Sequence, residues 1–202
     1  MKVLIGCECS QVECKAFRAL GYDAYSCDIE KCYGGHPEWH IHGDLFSVVD
    51  PSDFDLAILH PPCTYISKIN NWRYGNGVPF SILPDVLDAL DFFERCLNYP
   101  VRHLAVENPI PHPIFKLPDY TQLVQPYEFG HPWSKATCLW LKNLPWLLQT
   151  CFVVCRRGWV AHCPFDGGVF GSRKITRSKS FEGIAAAMAL QWGDYVSSLC
   201  CR

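Results

Sequence analysis

Leu56-Ala57-Ile58-Leu59-His60-Pro61-Pro62-Cys63-Thr64 decides how this chain is read. Its first four residues are a short, unbroken apolar run, the signature of a strand buried on both faces of a parallel sheet. Two prolines then stop the ladder, because proline has no N–H to give it. Cys63 is thereby carried just past the carboxyl end of a central strand, where open α/β sheets place their ligands. A second apolar stretch, Arg102-His103-Leu104-Ala105-Val106, runs in the same way into Glu107-Asn108-Pro109. If the two strands are neighbours, a thiol and a carboxylate meet at one sheet edge as candidate nucleophile and candidate proton donor.

Towards the amino terminus, the pattern predicts a strand over 2–6, the turn Cys7-Glu8-Cys9-Ser10-Gln11, and a helix over 12–20. Val12, Ala16, Phe17 and Leu20 share its inward face, and Gly21 ends it in a conformation glycine tolerates. A second strand over 22–27 leads to Asp28 and Glu30. An acidic residue at that tip binds a nucleoside ribose in many doubly wound folds. The glycine-rich phosphate fingerprint is missing, which favours a cofactor without a pyrophosphate.

Residues 31–43 read as a loop containing glycine and histidine, and Gly43-Asp44-Leu45 leads back towards the central strand. After Cys63 comes a polar stretch with Ser67, Lys68, Asn70, Asn71, Trp72, Arg73, Tyr74 and Gly75. A loop of this length without periodicity points to function. An amphipathic helix is predicted over 82–97, with Leu83, Val86, Leu87, Leu90 and Phe93 inward. Beyond residue 110, Pro111, Pro113, Pro118 and Pro126 break up regular structure. Strands are predicted over 137–141 and 152–154, then a basic cluster of Arg173, Lys174, Arg177 and Lys179, then a helix over 183–192. The β-α-β-β-α-β alternation argues an α/β fold, with a right-handed, mostly parallel sheet and helices on both faces.

The 202 residues suit one domain, spanning the whole chain. A net charge of −2 gives the chain no general attraction for nucleic acid, so any such contact falls to local patches. The first residues enter a strand directly, without a leader, and no apolar run is long enough to cross a membrane. The thirteen cysteines therefore read as thiols in a reducing cytoplasm.

Each candidate also has a plainer use. A cysteine after a strand is often a small buried hydrophobe, and Glu107-Asn108-Pro109 can form an Asx turn. Asp28 can cap a loop, while Lys135 and the basic cluster suit a solvated face. Cys151, Cys155, His162 and Cys163 are zinc-ligand types, but they lack the paired spacing of a zinc knuckle, and ordinary core cysteines explain them. His36, His40 and His42 suit a polar loop equally well.

With these residues in view, the chain resembles the DNA (cytosine-5) methyltransferase family, in particular its short bacteriophage and prophage forms. The resemblance runs through Pro61-Pro62-Cys63, Glu107-Asn108-Pro109, the stretch from Phe129 to Pro145, and Phe181 to Gly193. It implies a Rossmann-like fold that uses S-adenosylmethionine and has a reduced or absent target-recognition domain, with 143–175 as a vestigial insert. Cys63 would attack C6 of cytosine, and Glu107 would hold and protonate N3. Lys135 would stand in for a basic motif that supports the flipped base. Cys7, Glu8 and Cys9 would lie beneath the methionine part of the cofactor, Asp28 and Ile29 at its ribose, Asp44 and Leu45 near its adenine, and Pro62 beside it. Ser67, Trp72, Arg73, Thr137, Arg173, Lys174 and Arg177 would meet the DNA, either a duplex with a flipped base or a single strand. A partner protein would supply any longer recognition. The family's glycine-rich first motif has Gln11 at a glycine position.

The implied chemistry requires these residue types. Cytosine C5 is a poor nucleophile until a thiolate adds at C6 and turns C5 into an enamine carbon. A proton given to N3 offsets the charge that builds during addition. The base must leave its stack for C6 to be reached. The proline-rich motif is also similar to the Asp/Asn-Pro-Pro-aromatic motif of amino-methyltransferases, but His60 and Cys63 occupy its two diagnostic positions. Two other readings are a C5-directed modifier of a free pyrimidine nucleotide and a non-catalytic protein that keeps the fold to bind DNA or cofactor.

Overall fold

A computed structural model describes residues 1–75, 77–154 and 180–200. Its centre is a seven-stranded sheet formed by β1 (Lys2–Gly6), β2 (Asp23–Asp28), β3 (His40–His42), β4 (Leu56–Leu59), β5 (His103–Pro109), β6 (Gln122–Val124) and β7 (Thr137–Lys142). The strand order is β3-β2-β1-β4-β5-β7-β6. The first five run parallel, while β7 pairs antiparallel with both β5 and β6. The order reverses between β1 and β4, so the crevice at their carboxyl ends is the topological switch point of a doubly wound, Rossmann-like α/β fold.

The apolar runs of β1 and β4 have two faces to fill. Val3, Ile5, Leu56 and Ile58 face one core, together with Phe17 of α1 (Val12–Ala19) and Met188 and Trp192 of α4 (Glu182–Cys200). Leu4, Ala57 and Leu59 face the other, against Phe93 and Cys96 of α3 (Leu83–Leu97) and Leu45 of the short α2 (Leu45–Val48). Alternate residues of each strand thus serve opposite layers, which is why the strands are apolar throughout. The closing helix seats tightly: a Cβ at Gly193 would lie 2.4 Å from the Tyr22 ring, and the Trp192 indole donates to the Pro145 carbonyl at 3.0 Å.

Several expectations need correction. Leu20 is exposed, because α1 stops at Ala19 and its buried residues are Glu13, Cys14 and Phe17. Leu87 is exposed as well, lying about 100° round the helix from Val86, which shares the buried stripe with Phe93 and Cys96. The 31–43 loop contains β3, and β6 forms in the proline-broken region by pairing with β7. Residues 152–154 form no strand: beside them Phe129 and Cys151 make a single bridge, and Val153 N–H donates to the Tyr127 carbonyl at 2.8 Å. The closing helix extends to Cys200. Arg173, Lys174, Arg177 and Lys179 lie outside the described residues, as do Cys155, His162 and Cys163 and most of the 143–175 insert. No disulfide joins the described cysteines, and no helix among the described residues is long and apolar enough to cross a membrane.

Candidate active site

The two motifs that drew attention in the sequence meet on neighbouring strands. Leu59 of β4 pairs with Val106 of β5. Just beyond, the Asn108 side-chain amide donates to the Pro61 carbonyl at 2.8 Å in a buried hydrogen bond. Asn108 therefore ties the Pro61-Pro62-Cys63 turn to the strand that carries Glu107, rather than forming an Asx turn of its own. The chain after Cys63 is also fastened to the chain after β5, since Lys68 N–H donates to the Ile110 carbonyl and His112 N–H to the Ile66 carbonyl, both at 2.8 Å. Cys63, partly buried, is held between these two fastenings.

Glu107 lies within β5 and not past its end, paired with Leu139 of β7. Because β7 runs antiparallel, its first residue, Thr137, and the preceding Lys135 arrive beside the Glu107 carboxylate. Burial works against the charge on Glu107, but a hydrogen bond from His60 and the positive charges of His60 and Lys135 hold its pKa below the ordinary carboxylate value. The Thr137 hydroxyl, which donates to the Lys135 carbonyl at 3.2 Å, lies beside the carboxylate and favours its charged form as well.

His60 and Glu13 are the groups that sequence reasoning passed over. His60 Nδ1 lies 3.3 Å from Glu107 Oε2, and its Nε2 lies 3.4 Å from Glu13 Oε1. The Glu13 side chain is 1% exposed and that of His60 13%. Burial disfavours the imidazolium, but Glu13 and then Glu107 outweigh it and push the His60 pKa up to about 9. A charged residue on the buried face of α1, in register with Phe17, was the available signal for Glu13.

The expected cofactor residues gather at the carboxyl ends of β1, β2 and β3. Glu8 N–H donates to the Cys27 carbonyl at 3.1 Å, Gly43 N–H to the Asp28 carbonyl at 2.9 Å, and Tyr33 N–H to the Cys9 carbonyl at 3.0 Å. Cys7 has a left-handed φ of +59°, and its thiol is engaged with Cys96, which together with burial raises its pKa. Gln11 takes the glycine-like conformation expected of its position, at φ +61°. Its side chain turns to the 31–39 loop, donating to the His36 carbonyl at 2.8 Å and accepting from His36 N–H at 3.1 Å. Gly34 passes so close that a Cβ there would lie 2.5 Å from the Gln11 side chain. Ile29 is exposed, Pro62 is exposed, and Leu45 is buried beneath Gly6. Asp44 accepts from the Ser47 hydroxyl at 2.5 Å.

These groups fit a nucleoside that carries positive charge. Asp28 accepts from Glu30 N–H at 2.9 Å through one oxygen and is half-buried, and desolvation raises its pKa. A carboxylate so placed suits ribose hydroxyls. Glu8 is buried with Oε2 lacking a hydrogen-bond partner among the described residues. That orphaned carboxylate oxygen in the first turn would repel a phosphate and attract a cation.

Glu8 also yields a pH prediction. Burial first, then Glu13, push its pKa from 4.5 up to about 7, against the opposing Ser10 hydrogen bond and the His60 charge. The folded state therefore holds a proton that the unfolded chain has lost, and this contribution to stability fades as pH rises from 4.5 through about 7. Glu8→Gln, which cannot ionise, should be more stable than the parent at pH 8 by about 1–3 kcal/mol. The gain should vanish near pH 4, and melts at the two pH values check this.

Of the expected nucleic-acid contacts, Trp72 is 77% exposed, and the Arg73 guanidinium lies 5.0 Å from its ring centre and 5.7 Å from that of Tyr65. Ser67 is buried, and its hydroxyl accepts from Ile69 N–H at 3.3 Å. Thr137 is buried against Glu107.

No protein-family model matches the chain, and no curated protein does. Solved structures do. Dnmt2 methyltransferase of S. pombe is 15% identical and aligns over 72% of this chain and 50% of its own, with a TM-score of 0.43. The Entamoeba histolytica methyltransferase EhMeth is 14% identical over 76% of this chain and 57% of its own, at 0.47. A mutant of Spodoptera frugiperda DNMT2 is 18% identical over 83% of this chain and 56% of its own, at 0.41. The chain thus spans between 50% and 57% of the length of these structures.

Proposed function

We propose that this protein transfers a methyl group from S-adenosylmethionine to C5 of cytosine in DNA, through a covalent bond between Cys63 and C6. The observation that carries this reading is the Asn108–Pro61 hydrogen bond, which fixes a thiol-bearing turn to the strand that presents a carboxylate. A thiol just past the end of β4 and a carboxylate within the adjacent β5 are the two groups the addition needs. Cys63, as thiolate, adds to C6; Glu107 holds N3 and manages its proton; elimination of Cys63 after loss of the C5 proton restores the ring. Asp28, the Cys7-Glu8-Cys9 turn, Asp44 and Pro62 would hold S-adenosylmethionine, which when bound supplies an electrophilic methyl on a cationic sulfur. Trp72 and Arg73 offer an aromatic face and a cation beside the Cys63 loop, a combination suited to an unstacked base and its phosphate.

Bisulfite sequencing of DNA from cells expressing the chain tests the reading, and new C5-methylcytosine absent from control cells is the expected result. DNA left unmodified, with saturable S-adenosylmethionine binding, would turn the reading towards a binding protein. Asp28→Ala should weaken that binding by about 1–3 kcal/mol, as expected when charge-assisted hydrogen bonds to a ribose are lost. Titration calorimetry measures this, and an unchanged affinity would remove Asp28 from the site.

A further inference from the structure

Behind Glu107 lies a narrow crevice lined by Glu13, His60, Lys135, Thr137 and Phe181. Burying two carboxylates this close together is costly unless a cation is shared between them. His60 is placed to be that cation, with one ring nitrogen towards Glu13 at 3.4 Å and the other towards Glu107 at 3.3 Å. Neither Glu13 oxygen nor His60 Nε2 has a hydrogen-bond partner among the described residues, so the two face each other as an ion pair at 3.4 Å. The arrangement follows the logic of a histidine oriented by one carboxylate while it serves another group.

We propose that Glu13, His60 and Glu107 form a charge relay, in which His60 is a positioning residue that holds Glu107 and stores the proton Glu107 passes to its substrate. The nature of that substrate, a pyrimidine ring attacked by Cys63, rests on the function proposed above. The protons balance within the relay. As the thiolate adds, the His60 Nδ1–H bond breaks and an O–H bond forms on Glu107; that bond breaks in turn as an N–H bond forms on the ring. Elimination returns the proton by the same path, while Glu13 stays oriented towards Nε2 and takes no part in the transfer.

The groups around His60 agree with this assignment. Glu8 faces it from the turn after β1, Glu13 from α1 and Glu107 from β5, while Lys135 faces Glu107 from the segment before β7. α4 offers the crevice only apolar side chains, Ile184 and Met188. Glu13 and Glu107, joined by Glu8 once it ionises above about pH 7, thus favour the imidazolium, in line with its upward shift to about 9. Below that pH the store is full, and above it the store empties.

The test uses the whole chain with isotope-labelled histidine, His60→Gln to assign the ring signals, and Glu13→Gln as a second variant. In the parent, the His60 ring should stay doubly protonated past pH 8, and in Glu13→Gln it should lose its proton at least tenfold more readily. A His60 ring that titrates near the ordinary value in both proteins overturns the relay. The second measurement is the pH profile of adduct formation on DNA containing 5-fluorocytosine. The rate of His60→Gln relative to the parent should fall at least tenfold between pH 5 and pH 8. Two parallel profiles would reduce His60 to scaffolding and overturn the proposal. A parent that forms no adduct at any pH counts against the methyl-transfer reading alone, and the ring titration then decides the relay.

Discussion

DNA containing 5-fluorocytosine should become covalently attached to this protein when S-adenosylmethionine is present, and Cys63→Ala should abolish the attachment. Fluorine at C5 cannot leave as a proton, so once the methyl group has arrived Cys63 remains bonded to C6 and the adduct survives denaturing electrophoresis. The expected loss in Cys63→Ala is total, because the covalent bond itself is removed. Its competitors predict different gels. An amino-methyltransferase gives methylated DNA without an adduct, a nucleotide modifier is trapped by the fluorinated nucleotide and not by DNA, and a binding protein gives neither. Methyl transfer to DNA that persists in Cys63→Ala would refute the mechanism.

Glu107→Gln should slow adduct formation by ~10²–10⁴, the usual worth of one acid–base contact. The amide keeps the shape of the side chain but cannot take a proton from His60 and pass it on. The variant also leaves Glu13 as the main partner of His60, so the protein should remain folded while the rate collapses. Single-turnover trapping with saturating DNA measures the step directly. A rate within a factor of three of the parent would show that N3 obtains its proton elsewhere.

Much of this molecule can be read from local pattern because local pattern causes it. The runs at Val3 to Ile5 and Leu56 to Leu59 are apolar because both faces of the sheet are covered, and Gly21 closes α1 at φ +84° as a glycine can. What escapes such reading depends on partners distant in sequence. β6 has three residues and exists through pairing with β7. Glu107 sits within a strand because β7 extends the ladder on that side. His60 and Glu107 are 47 positions apart, so no spacing rule reveals their pairing. Glu13 occupies a position where helical periodicity expects an apolar residue, and only the histidine opposite explains the charge. Gln11 stands where glycine was expected and adopts glycine's geometry, with its side chain drawn off to His36.

The seating of α4 on α1 has a consequence for how the chain is made. Tyr22, just after α1, donates to Asp194 at 2.9 Å across 172 residues. During synthesis, at about 5–20 residues per second, the side of the sheet bearing Val3, Ile5, Leu56 and Ile58 therefore has α1 alone as helical cover for many seconds before α4 emerges. The opposite side receives α3 much sooner. One layer can consolidate on the ribosome while the other stays half covered, and the crevice behind Glu107 acquires its apolar wall of Ile184 and Met188 only when α4 docks. Closure of that crevice and full cover for this side of the sheet should thus arrive together, in the single step that seats α4.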